Sequence, residues 1–130
     1  MKSNLQFAIM IALITSLSFN AYSTNYYVSE TGNNSNNGLT PSTAFATLQY
    51  AADIVSSGDS VLVLEGTYVG FDIRENVTQN SPIVFKAIEA NVVIDGRNSV
   101  TPDGINSENT SWIVIDGFEI LDQPRAGIRA

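Results

Sequence analysis

The hexapeptide Asn91-Val-Val-Ile-Asp-Gly96 is followed 21 residues later by Trp112-Ile-Val-Ile-Asp-Gly117. Each is a β-branched run closed by Asp-Gly, the combination of a short strand and a tight turn. Self-similarity at a period of about 20–50 residues marks a solenoid, in which each unit stacks on its neighbours. One coil of a parallel β-helix uses a length of that order, and equivalent positions in successive coils then lie ~4.8 Å apart. The spacing predicts Val92 over Ile113, Ile94 over Ile115 and Gly96 over Gly117, with Leu64-Glu-Gly66 as an earlier version of the same turn. The apolar pairs would build an interior column, and Gly96 and Gly117 would take the turn at positive φ.

The rest of the chain agrees with this reading. Tyr26-Tyr-Val28 has strand character, and residues 29–42 are a loop rich in Gly, Asn and Ser. Residues 47–58 read as one helix. Thr47 stands at its N-cap, Leu48, Ala51, Ala52 and Val55 share a face, and Gly58 ends it. After Asp59 the texture is β, with apolar runs at 61–64, 83–87, 92–96 and 113–117, a short alternating strand at 118–120, and another strand starting at Gly127-Ile128. No window there carries a 3.6-residue apolar period, so the crossover helices of a doubly wound α/β sheet are missing. The expected fold is all-β, a parallel β-helix with a short capping α-helix. Residues 24–58 would hold the first strand, loop and helix, and residues 59–130 three to four coils. The cap covers one end only, and the chain stops at Ala130 in a new strand. A solenoid needs both ends covered, so the chain reads as the N-terminal fragment of a longer protein.

Residues 1–23 read as a signal peptide: Lys2, an apolar run from Phe7 to Leu17, and small residues at Ala21 and Ser23 before the cut. The expected location is therefore secreted, periplasmic or cell surface, with no integral membrane segment after cleavage. Cleavage removes Lys2 and none of the 13 acidic groups, so the exported chain is strongly acidic. Nucleic-acid binding, which needs clustered Lys and Arg, is excluded on that balance. The chain has no Cys and no His. Disulfides, Ser-His-Asp triads, Cys-His pairs and ordinary zinc sites are therefore excluded within it.

The stretch from Gly38 to Tyr68 contains Pro41-Ser-Thr-Ala-Phe-Ala-Thr-Leu-Gln49 and then Gly58-Asp-Ser-Val-Leu-Val-Leu-Glu-Gly-Thr-Tyr68. It resembles the opening of secreted right-handed parallel β-helix proteins of the pectate-lyase-like group. Tyr27-Val-Ser-Glu-Thr-Gly-Asn33 resembles the group's first strand and turn, and residues 91–119 its ordinary coils. The resemblance implies a right-handed helix and an acidic polysaccharide such as pectin, alginate or a glycosaminoglycan. It implies cleavage by β-elimination, with a Lys or Arg base and Ca²⁺ held by Asp and Glu. In that group these residues lie on the middle coils, so most catalytic groups would lie beyond this chain. The same motifs occur in members without catalysis, and a non-catalytic carbohydrate-binding or cell-surface protein is the alternative. Gly58, Asp59, Gly66 and Tyr68 serve structure in this reading: Gly58 ends the helix, Asp59 accepts from turn backbone, and Gly66 turns the chain.

Few residues are candidates for chemistry. Asp95 and Asp116, if stacked, would repel unless they splay apart, gain a cation from Arg97 or bind Ca²⁺. The structural reading is that each caps its own Asp-Gly turn. Lys86 lies on the outward face of its strand, opposite in sense to Ile83 and Phe85. Arg125 and Arg129 lie in the last turn and strand, where the resemblance implies that a substrate groove would begin, and could meet an acidic sugar. Trp112 could stack on a sugar ring or pack at a corner. Asn33, Asn76 and Asn109 stand in Asn-x-Ser/Thr sequons. No acid–base constellation assembles, so no independent catalysis is expected of this chain.

Overall fold

The computed structural model describes residues 22–130. The expected signal segment lies almost wholly outside the described residues. The strands are β1 (Asn25–Val28), β2 (Ser60–Val63), β3 (Gly66–Tyr68), β4 (Phe71–Asp72), β5 (Ile83–Ala87), β6 (Val92–Asp95), β7 (Asp103–Asn106), β8 (Ile113–Asp116), β9 (Glu119–Leu121) and β10 (Ala126–Arg129), with one α-helix, α1 (Leu48–Ile54). Among the described residues every strand pairing is parallel. The strands form three sheets in the orders β1-β2-β5-β8, β3-β6-β9 and β4-β7-β10. From β2 onward the chain visits the three sheets in rotation, three times over. That is a parallel, solenoid-like β fold.

The first two sheets bury alternate side chains, as a strand's period of two requires, whereas β4 and β7 of the third are buried throughout. On β5, Ile83 and Phe85 are fully buried, Val84 is half-buried and Lys86 is exposed. Equivalent inward positions stack between turns: Val61, Phe85 and Ile115 on the first sheet, Tyr68, Ile94 and Ile120 on the second, Phe71, Ile105 and Ile128 on the third. Phe71 and Phe85 bridge two sheets, with ring centroids 4.8 Å apart. The last turn is less covered: Ile113, Ile115 and Ile120 are only partly buried and Ile128 is 50% exposed.

The 21-residue repeat is not the coil period. Val92 lies beside Gly66 on the second sheet, whereas Ile113 lies beside Ile83 on the first. Ile94 stacks on Ile120 and Phe85 on Ile115, so Gly96 and Gly117 stand at different corners. Leu64-Glu-Gly66 is likewise not the counterpart of residues 94–96, because Gly66 is level with Val92. The two Asp-Gly motifs share a local need, a turn at positive φ (114° at Gly96, 82° at Gly117), which any corner of the solenoid can impose. The stride between turns is uneven: Ser60, Val84 and Val114 follow one another on the first sheet, Thr67, Val93 and Glu119 on the second.

The helix is shorter than its expected span. Thr47 accepts a hydrogen bond from the Tyr50 N–H at 3.2 Å, closing its first turn. It ends at Ile54 because Val55 turns extended and drops its side chain into the core. Gly58, at φ 90°, belongs to the following turn and does not terminate the helix. There Asp59 accepts from the N–H groups of Ser56 (2.9 Å) and Thr24 (2.8 Å). Leu48, Ala51 and Ala52 bury the helix against the turn ends. Gln49 reaches the free edge of β4, donating to the Asp72 carbonyl at 3.2 Å and accepting from the Asp72 N–H at 2.9 Å. A single side chain thus satisfies backbone groups that a neighbouring strand would otherwise pair.

Candidate functional site

The third sheet carries a repeat that the Asp-Gly pattern conceals. Gly70-Phe-Asp72, Gly104-Ile-Asn106 and Gly127-Ile-Arg129 share one pattern, glycine then apolar then polar, and stack in register. The glycines allow the turns to close up: a Cβ on Gly70 would lie 2.1 Å from the Gly104 carbonyl oxygen, and one on Gly104 would lie 2.7 Å from that of Gly127. Phe71 and Ile105 are buried in the core, and Ile128 continues their stack at the exposed last turn. The polar members, Asp72, Asn106 and Arg129, form a file across the sheet. Short strands of Gly and polar residues lack the apolar runs that announce strands, which is why β3, β4 and β7 are silent in the sequence.

Three guanidiniums on or next to the third sheet are each held by a carboxylate. Arg74 binds Asp72 at 2.5 Å, Arg129 binds Glu108 at 2.5 Å, and Arg125 grips Asp103 through two parallel hydrogen bonds, one of them 2.8 Å from Nε to Oδ1. The Asp72 and Asp103 carboxylates are buried, while the arginines stay partly exposed. Asp72 also accepts from Asn106 Nδ2 at 3.0 Å. Beside this network lies a cavity of about 440 Å³, lined by Arg74, Asn76, Thr101, Asn106, Glu108 and Thr110 among others.

The Arg125 hydrogen bonds hold the Asp103 carboxyl down, from the ordinary 3.8 to about 2, against a burial that pushes it up. The same pairing raises the Arg125 guanidinium. A carboxylate depressed in the folded state stabilises above its unfolded pKa, and that stability is lost as pH falls through the folded value. The fold should therefore weaken between about pH 4 and about pH 2. Urea midpoints across that window should drop less steeply for Asp103→Asn than for the wild type; parallel curves would contradict the assignment.

The expected site residues are dispersed. Arg129 stands in the polar file of the third sheet and Arg125 just before β10, both engaged as above. Trp112 precedes β8, 49% exposed and at φ 61°, a conformation bulky residues seldom take. Its carbonyl accepts from the Ile83 N–H at 3.1 Å, which secures the backbone in place. Asp95 and Asp116 do not form a pair. Asp95 ends β6 beside Leu121, while Asp116 ends β8 beside Lys86, whose Nζ lies 3.5 Å from its carboxylate. The reason is the register: the two motifs stand on different sheets. Among the described residues no group of three or more acidic side chains gathers around a metal-sized space, so Ca²⁺ at Asp95 and Asp116 has no geometric support. Tyr68 is a buried clamp: its hydroxyl donates to the Leu64 carbonyl at 2.8 Å and accepts from the Glu30 N–H at 3.1 Å. Burial, first, pushes its phenol up to about 12. Glu30 in turn accepts from the Thr67 N–H at 3.2 Å, next to Gly66, where a Cβ would meet the Glu30 side chain.

No family model matches the chain. The chain is 38% identical over 102 residues to the uncharacterized protein YwoF of Bacillus subtilis (strain 168). The match takes in 74% of this chain and 22% of YwoF, so the chain spans about a fifth of that relative's length. Among solved structures, XylC in complex with xylose aligns at 28% identity and a TM-score of 0.49, over 54% of this chain and 11% of its own. The GH136 lacto-N-biosidase from Eubacterium ramulus aligns at 18% identity and a TM-score of 0.63, over 80% of this chain and 21% of its own. The chain thus shares the lacto-N-biosidase's fold over most of its described length.

Proposed function

We propose that this chain is the N-terminal part of an exported, right-handed parallel β-helix protein that binds polysaccharide on its third-sheet face. The observation that carries the reading is an open polar cavity lined by Arg74, whose guanidinium is held by the buried Asp72 carboxylate, and by Glu108, which pairs with Arg129. The buried Asp72 carboxylate holds Arg74 in a fixed orientation, which lowers the entropy cost of hydrogen-bonding a ligand. The α1 helix acts as the cap in this reading, and the partial coverage of YwoF and of the lacto-N-biosidase supports further coils beyond it. One chain of this fold is named a lacto-N-biosidase, and a carbohydrate role here is an extension of that likeness. Export rests on Lys2 and the Phe7–Leu17 run. Cleavage after Ser23 would place the Thr24 α-ammonium where its N–H now meets Asp59, converting a hydrogen bond into an ion pair.

Cleavage of an acidic polysaccharide by β-elimination, with Ca²⁺ or a basic residue, is the finer proposal. It places the catalytic groups on later coils, as the resemblance implies; Lys86, Arg74, Arg125 and Arg129 are engaged by carboxylates, while Arg97 makes none of these ion pairs. Affinity electrophoresis of the folded chain through neutral and acidic polysaccharides tests the binding claim. Retardation is expected in at least one gel, reduced about tenfold in apparent affinity by Arg129→Ala. A folded wild-type chain that migrates freely in every gel would remove the reading. The lyase proposal is tested separately, by unsaturated-uronate release from the full-length protein with and without Ca²⁺.

A further inference from the structure

Among the described residues three acidic side chains are buried, Asp59, Asp72 and Asp103, and their partners differ. Asp72 and Asp103 each hold a guanidinium. Asp59, 6% exposed, pairs with no Lys or Arg among the described residues. Its carboxylate accepts from backbone instead, from the Ser56 N–H on Oδ2 at 2.9 Å and the Thr24 N–H on Oδ1 at 2.8 Å. Buried charges are ordinarily paired, because taking an ion out of water is costly and an opposite charge offsets the loss. The charge that Asp59 lacks is positive, and the atom at its Oδ1 is the Thr24 nitrogen.

The sequence selects the same nitrogen for another reason. Small residues at Ala21 and Ser23 are the pattern that directs a signal cut between Ser23 and Thr24. Such a cut turns the Thr24 amide into an α-ammonium. Two unrelated features thus meet on one atom: small residues that direct a peptidase, and a buried acid 35 residues further on. The surroundings allow the cut. Tyr22 is 85% exposed and Ser23 is exposed, so their loss uncovers little. Ser23 gives up one exposed hydrogen bond, from its hydroxyl to the Gly58 carbonyl at 2.7 Å. Thr24 leads directly into β1: its carbonyl accepts from the Ser60 N–H at 2.9 Å, and Asn25 is level with Ser60 on β2. A fixed terminus therefore fixes the start of β1, where chain ends otherwise fray. We infer that Asp59 is the seat of the mature N-terminus: the Thr24 α-ammonium pairs with it, and cleavage holds β1 on β2 more tightly than the precursor does. The inference rests on the export reading and adds to it the bond that is cut and a role for processing in the fold.

The test compares two forms of the full-length protein, one beginning at Thr24 and one at Tyr22, by hydrogen exchange of the β1 amides read by mass spectrometry. The Tyr22 form keeps the Thr24 N–H as a neutral donor and carries its charge on an exposed residue instead. The β1 amides should exchange about tenfold more slowly in the Thr24 form, the margin of a charge-assisted hydrogen bond over a neutral one. Asp59→Asn keeps an acceptor and removes the charge, so it should abolish the difference. If that variant does not fold, the two wild-type forms still decide. Equal exchange in them would overturn the inference, and so would a difference that survives Asp59→Asn. Mass spectrometry of the exported protein should give Thr24 as the first residue. Another first residue would overturn the inference and leave export standing. A protein retained in the cell with residues 1–23 attached would remove the export reading and the inference with it.

Discussion

Replacing Phe85 by alanine is expected to destabilise the fold by about 3–5 kcal/mol, the cost of emptying a large aromatic site in a close-packed interior. Phe85 is fully buried at the middle of the first sheet, between Val61 of the preceding turn and Ile115 of the next. Its ring also packs on Phe71, at a centroid distance of 4.8 Å, so the loss is felt on two sheets. The neighbours are held by parallel ladders on both sides and cannot collapse far into the space. Domains of this size carry about 5–15 kcal/mol in total, so the variant should approach or cross the unfolding threshold at room temperature. Urea denaturation followed by far-ultraviolet circular dichroism checks it. A loss below about 1 kcal/mol would mean that the interior column is not packed as described.

Gly70→Ala should act through a different mechanism and cost about 3 kcal/mol or more, at the upper end for overpacked sites. The added methyl would stand 2.1 Å from the Gly104 carbonyl oxygen and 2.9 Å from the Asn98 backbone nitrogen. Both obstacles are backbone, so no rotamer change relieves them, and the spacing between two turns must open. Because Asp72 follows two residues later, the opening should also disturb its hydrogen bonds to Asn106 and Gln49. Gly96→Ala provides the comparison: nothing lies within 4 Å of its Cβ position, so only the strain of φ 114° is paid. Equal losses in the two variants would show that the close approach of the turns is not what Gly70 serves.

Much of this solenoid-like fold is legible in the sequence because its signals are local. Thr47 caps a helix with its own hydroxyl, Gly96 and Gly117 turn at positive φ, and Ile83 and Phe85 alternate inward against Val84 and Lys86. Each of these depends on residues one to four positions away, where side-chain chemistry and backbone geometry act directly. The helix end is not legible because two signals compete. Gly58 offered a terminator, but the burial of Val55 stopped the helix earlier.

The sequence by itself determined the class of the fold, through short β-branched strands, Asp-Gly turns and the absence of crossover helices. It also excluded histidine and cysteine chemistry outright. Only the tertiary structure decided which residues meet. Register between turns depends on the lengths of the corner loops, such as residues 73–82, 96–102 and 122–125, and these vary without any local pattern to announce them. That is why Asp95 and Asp116, alike in motif, stand on different sheets, while Asp72, Asn106 and Arg129, unlike in chemistry, form one file. Stacking at strand spacing turns residues far apart in the chain into neighbours, and the candidate site consists of such residues.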